Sequence, residues 1–128
     1  MKGRKIFLII AGILPIFFGL NMMFNPKVML DMVAIPTDAS MRMVLQWMAC
    51  PLATLGVINF LSARDEGSTA LRAVLLGNVV VHILGMGVDI YQRAIGQLNL
   101  QGVVFGAVIH LGLGGGAAYF LMRLSKRA

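Results

Sequence analysis

The stretch IFLIIAGILPIFFGLNMMF, residues 6–24, decides the fold class, because its 19 successive residues carry no charge. A helix rising 1.5 Å per residue needs about 20 mostly apolar residues to cross bilayer hydrocarbon, and this run supplies them. A basic lead of Lys2, Arg4 and Lys5 precedes it, as in a secretory leader. The run is longer than the usual apolar core of a leader, however, and no small-x-small cleavage site follows, so a retained span is expected.

Three more stretches downstream have the same character: 43–63, 70–91 and 100–122. The strictly uncharged part of the third, 73–88, is only 16 residues, so this span must draw Arg72 or Asp89 toward the membrane. Arginine can extend its head group outward along its own stem, whereas aspartate is too short to do so. Asp89 is therefore the acid expected at membrane depth. Composition agrees with the runs: 59% of residues are hydrophobic and 12% charged, against about 25% charged in a typical soluble domain. An exterior so poor in polar groups is suited to lipid. The fold expected is an all-α membrane protein, one domain over 1–128, built as an up-down bundle of four transmembrane helices.

The net charge of +6 forms no basic stripe of the kind that binds nucleic acid. The basic residues instead sort by side. Lys2, Arg4, Lys5, Arg64, Arg72, Arg123, Lys126 and Arg127 flank one side and Lys27, Arg42 and Arg93 the other, 8 against 3. The positive-inside tendency then puts both termini and the loop at Asp65-Glu66-Gly67 in the cytoplasm, at the cell inner membrane. Trp47 and Tyr91 near the outer interface and Tyr119 near the inner one are placed as aromatic anchors. Thr37, Asp38 and Ser40 before the second span, Ser68 before the third and Asn99 before the fourth are helix-starting residues. Between the first two spans, Asn25-Pro26 opens a short segment with Lys27 and Asp31 on one side. It reads as an amphipathic helix on the outer surface, ending before Pro36.

Polar residues inside spans are where function is sought, since an unsatisfied group in hydrocarbon costs several kcal/mol. Helical spacing aligns Arg42, Gln46, Cys50 and Thr54 on the second span, Asn78, His82, Gly85 and Asp89 on the third, and Gly102, Gly106, His110 and Gly114 on the fourth. The three stripes are expected to point inward, while the first span reads as a plain apolar anchor. Cys50, His82 and His110 each fall about 15–18 Å from the outer end, near the midplane, where they suggest a metal site. Imidazoles on facing helices also suit haem, and thiol with imidazole suits copper or zinc. Histidines hydrogen-bonded to each other, or to Asn78 or Thr54, explain the same residues without a cofactor. Nearer the outer face, Asn21, Arg42, Gln46, Asn78 and Asp89 outline a polar pocket that could take an anionic lipid or small solute, or hold an Arg42–Asp89 ion pair. Met22, Met23, Met29, Met32, Met41, Met43 and Met48 add soft sulfur on that side, suited to Cu(I) or simply to gap filling.

No Gly-rich phosphate loop, nucleophile elbow or His-Glu-x-x-His occurs, and no span holds paired carboxylates. Phosphoryl and hydrolytic chemistry are thereby disfavoured. Small residues at four-residue spacing, such as Gly112 and Gly116, are a common packing device between membrane helices. The leading expectation is therefore a non-catalytic accessory or assembly component that packs through Gly-rich faces against copies of itself or a partner membrane protein. A haem-, metal- or quinone-binding redox component using His82 and His110 is the alternative.

Gly19-Leu20 and Asn25-Pro26 ending the first span, Arg42 opening the second, Ala63-Arg64 closing it and the Gly-rich fourth span together resemble small bacterial four-helix membrane proteins of unknown function, and loosely DoxX-like proteins. The resemblance implies the four-helix architecture. It also brings the association of DoxX relatives with quinone-linked sulfur oxidation, although no motif of that chemistry is present.

Overall fold

The computed structural model describes residues 2–32 and 38–125. Five helices make up the described chain: α1 Lys2–Phe24, α2 Pro26–Met32, α3 Ala39–Ser62, α4 Thr69–Ala94 and α5 Leu100–Ser125. Four of them, α1, α3, α4 and α5, are long and apolar enough to cross a membrane. They coincide with the four charge-free runs but extend beyond them. Hydrocarbon sets the length of an apolar run, whereas caps set the length of a helix. Asp38 caps α3 by accepting from the Met41 amide at 2.7 Å, and Ser68 caps α4 by accepting from Leu71 at 3.1 Å. At α5 the Asn99 side chain accepts from Gly102 at 2.7 Å. Each satisfies one of the backbone donors that a helix start leaves orphaned. Thr37 and the end of the predicted outer helix near Pro36 lie outside the described residues.

By its internal contacts the chain forms two compact units, Met1–Ala63 and Arg64–Ala128. In the first, α1 and α3 run antiparallel and meet through small residues. A Cβ added at Gly12 would lie 2.8 Å from Phe60, one at Gly19 would lie 2.9 Å from Ala53, and one at Gly56 would lie 2.6 Å from the Gly12 carbonyl. Such proximity is possible only where the side chain is a hydrogen. Asn59 is fully buried in this seam and donates from Nδ2 to the Ala11 carbonyl at 3.1 Å. The first span is therefore not a plain anchor, because its Ala11, Gly12 and Gly19 shape the contact. Helix α2 follows with Lys27 Nζ 2.6 Å from Asp31 Oδ2 on its exposed side and Leu30 buried.

The second unit is the antiparallel pair α4 and α5. Its hairpin is made by a Schellman turn: Gly96 donates to Arg93 at 3.1 Å and Gln97 to Gln92 at 2.9 Å. The turn requires a left-handed residue, and Gly96 has φ 76°, where a side chain would be strained. At the other end Arg72 Nη2 donates to the Leu124 carbonyl at 3.3 Å.

Candidate functional site

The stripes read on the third and fourth spans do face each other. Along α4, Asn78, His82, Gly85 and Asp89 succeed one another every three or four residues, and Gly102, Gly106, His110 and Gly114 do so along α5. Antiparallel packing then sets His82 against Gly114, Gly85 against His110 and Asp89 against Gly106. In each pairing the large polar side chain occupies the space that a Cβ on the glycine would fill. A Cβ on Gly114 would lie 2.8 Å from the His82 Cβ. One on Gly85 would run into the His110 ring, and one on Gly106 into the Asp89 carboxylate.

The three polar side chains form a linear chain. His82 Nδ1 and His110 Nδ1 are 3.0 Å apart, a hydrogen-bond distance. The other nitrogen of His110, Nε2, is 3.5 Å from Asp89 Oδ2. That is about 0.5 Å longer than an ordinary N–H···O bond, a close polar contact in which the carboxylate faces the ring nitrogen. His82 is buried, at 8% exposure. Among the described residues its Nε2 has no hydrogen-bond partner, and it is not one of the enclosed polar atoms left without one. The ring lines a cleft of ≈ 330 Å³ together with Val79, Ile83, Met86, His110, Leu111 and the small residues Gly114, Gly115 and Ala118. Apart from the imidazoles this lining is apolar. Asn78, one turn earlier on α4, is also buried and donates to the Val74 carbonyl at 2.8 Å.

These distances bear on each group suggested by the sequence. Axial ligation of haem by two histidines places iron between two nitrogens, which must then stand roughly 4 Å apart for bonds of about 2 Å. Here the two Nδ1 atoms bond each other at 3.0 Å and His110 Nε2 faces Asp89 at 3.5 Å, so the pair as it stands does not present two free ring nitrogens to one iron. Of the residues suggested for a metal, Cys50 belongs to the first unit and both histidines to the second. Among the described residues no three His, Cys, Asp or Glu side chains are grouped to hold a metal ion.

Of the residues read as an outer polar pocket, Asn21, Arg42 and Gln46 belong to the first unit, and Asn78 and Asp89 to the second. Asn21 donates to the Phe17 carbonyl at 2.8 Å and Gln46 to the Met23 carbonyl at 2.9 Å. Asp89 is set beside His110. Within the first unit Arg42, Gln46, Cys50 and Thr54 of the α3 stripe are exposed. Thr54 donates to the Cys50 carbonyl at 2.9 Å, so its hydroxyl is satisfied within its own helix and needs no interior partner. Met23, Met43 and Cys50 do share a cleft with Gln46, Trp47 and Pro51 in the first unit.

Sequence reasoning placed His82, His110 and Asp89 on facing stripes but missed that each is seated on a glycine of the opposite helix. The signal was available in the antiphase of the two rows. Asn59 was missed altogether, because a lone amide in an apolar run has no spacing partner to announce it. The chain matches no family model, no curated protein and no solved structure.

Proposed function

We propose that this chain is a multi-pass protein of the cell inner membrane with both termini in the cytoplasm. On this reading its second unit binds a small apolar molecule carrying a hydrogen-bonding oxygen, of the quinone class. The cleft over the histidine pair carries the proposal: an apolar wall with a few convergent polar groups is the usual makeup of a small-molecule site. The glycines and Ala118 on one side leave room for a flat ring, and an imidazole nitrogen is available to a carbonyl or hydroxyl. Four helices of membrane-crossing length and the 8-to-3 distribution of Lys and Arg support the location and orientation.

Photolabelling in native membranes with an azido-quinone tests the ligand. Label is expected on peptides covering 79–86 and 110–118, and His82→Leu with His110→Leu should weaken protection by unlabelled quinone about tenfold, the loss of one hydrogen bond. Label elsewhere, or protection unchanged in the double variant, removes the proposal.

A second reading, an accessory component that assembles with copies of itself or a partner membrane protein, is favoured by a different observation. A Cβ at Gly77 or Gly87 on α4, or at Gly112 or Gly115 on α5, would meet nothing. These open small residues would let another helix approach closely. Gly106 and Gly114 are already taken up inside the unit, which weakens this reading relative to the first. Blue-native sizing and crosslinking in membranes should show a discrete complex, and a lone monomer without copurifying partners counts against it.

A further inference from the structure

Linear order, rather than proximity alone, is what distinguishes the three polar residues of the second unit. His110 uses both of its ring nitrogens, Nδ1 toward His82 at 3.0 Å and Nε2 toward Asp89 at 3.5 Å. A neutral imidazole carries one proton, so one of its nitrogens donates and the other accepts. When Asp89 is a carboxylate it can only accept, which assigns the His110 proton to Nε2. His110 Nδ1 is then bare and must accept, which assigns the His82 proton to Nδ1. The His82 nitrogen left bare is Nε2, the one without a hydrogen-bond partner among the described residues, on a ring that lines the cleft. One charge state at Asp89 thus dictates the tautomer of two rings and the hydrogen-bonding character of the cleft.

We infer that His82, His110 and Asp89 act as one proton relay, exchanging a proton between a molecule in the cleft and the Asp89 carboxylate. The transfer balances without any other reactant. A proton leaves the ligand for His82 Nε2. The proton on His82 Nδ1 passes to His110 Nδ1, and that on His110 Nε2 passes to Asp89 Oδ2. One proton enters, one is held as a carboxylic acid, and both rings have exchanged tautomers. The ligand retains the electron pair of its broken O–H bond. In the final state Asp89 O–H donates to His110 Nε2 and His110 Nδ1–H donates to His82 Nδ1, so both links persist with their direction reversed. Run backward, the relay protonates the ligand. It therefore works as general base or general acid for the cleft. The glycine seats keep it in register: Gly85, Gly106 and Gly114 each leave the volume that one relay member fills.

This rests on the ligand-binding reading for what the proton is exchanged with, but the relay can be tested in the protein alone. The chain has 2 histidines, so the full-length protein with 15N-labelled histidine in lipid nanodiscs gives four ring-nitrogen signals. Assignment needs only one histidine variant. The expected resting state is His82 protonated at Nδ1 and His110 at Nε2, with scalar coupling between the two Nδ1 atoms. Asp89→Asn keeps the shape but removes the charge that fixes the tautomers. A charged acceptor bonds about twice as strongly as a neutral one, so the ratio of resting to exchanged tautomers should fall about tenfold in both rings together. Gly106→Ala, which retains Asp89 but displaces its carboxylate, should do the same, and it gives a second route if Asp89→Asn folds poorly. Tautomer ratios that do not move in either variant, or move in His110 alone, overturn the relay even if a quinone still binds. Ratios that move together in both rings uphold it, and if no quinone then binds, only the ligand reading falls.

Discussion

At Gly85, Gly106 and Gly114 the absence of a side chain makes room for His110, Asp89 and His82, and this separates them from glycines of the same helices such as Gly77, Gly87 and Gly112. A methyl at Gly85 would enter the His110 ring, whereas one at Gly87, two residues on, would meet nothing. The physical expectation differs in sign. Gly85→Ala must displace a ring held between two polar partners, and overpacking of this kind costs about 1–3 kcal/mol. Gly87→Ala fills open space and relieves glycine's backbone entropy, a gain of about 0.5–1 kcal/mol in a helix interior. Thermal unfolding in one detergent should rank Gly87→Ala at or above the parent and Gly85→Ala below it. Equal midpoints for the two variants would mean that the His110 seat is not the constraint it is taken for. The site was half legible in the sequence. Four-residue spacing announces which residues share a face, so His82 with Asp89 and His110 with the glycines could be read directly. Which glycine is occupied and which is open depends on the partner helix, and no single-helix pattern contains that.

Between helices, small side chains set the contact and polar ones follow. The seam of α1 with α3 is built from Gly12, Gly19, Ala49, Ala53 and Gly56, where backbones come close enough that an added Cβ at Gly56 would sit 2.6 Å from the Gly12 carbonyl. The polar row of α3 was expected inside because exposed polarity is costly in lipid. A hydroxyl such as that of Thr54 can instead bond the carbonyl four residues back, which removes the need for an interior partner. Spacing alone does not distinguish these two ways of satisfying a polar group. Two outcomes follow for this element pair. Gly56→Val should separate the helices, with a loss exceeding about 2 kcal/mol from backbone displacement, and helix content should persist because each helix keeps its own backbone ladder. Asn59→Ala removes the interhelical bond to Ala11, for which membrane proteins show about 0.6 kcal/mol on average and up to about 1.7. Steric-trapping measurements of unfolding should therefore find Gly56→Val clearly worse than Asn59→Ala. The reverse order would assign the seam to hydrogen bonding rather than to close approach.

For the whole chain, the four long helices were legible because spanning hydrocarbon forces a run of apolar residues that no other demand on this sequence would produce. Sidedness is a separate property, carried by about a dozen charges, and it can be tested without reference to how the helices pack. On the proposed topology four crossings put both ends on one side, and the excess of Lys and Arg on the flanks beside Met1, Ser68 and Ser125, 8 against 3, is the reason for assigning that side to the cytoplasm. The chain has one cysteine, Cys50, so a Cys50→Ala background accepts single reporter cysteines at Gly3, Glu66 and Gln97. With an impermeant maleimide on intact spheroplasts, only the reporter at 97 should label, and those at 3 and 66 should label after the membrane is opened. The 3 opposing basic residues include Arg93, one turn before the reporter at 97. Adding two lysines there narrows the imbalance to 8 against 5 and should leave orientation intact, whereas removing Lys2, Arg4 and Lys5 as well abolishes it, at 5 against 5, and should yield mixed labelling. Uniform labelling of position 66 from outside in the parent chain would invert the assignment while leaving four crossings in place, because the length of an apolar run fixes the crossing and only the flanking charge fixes its direction.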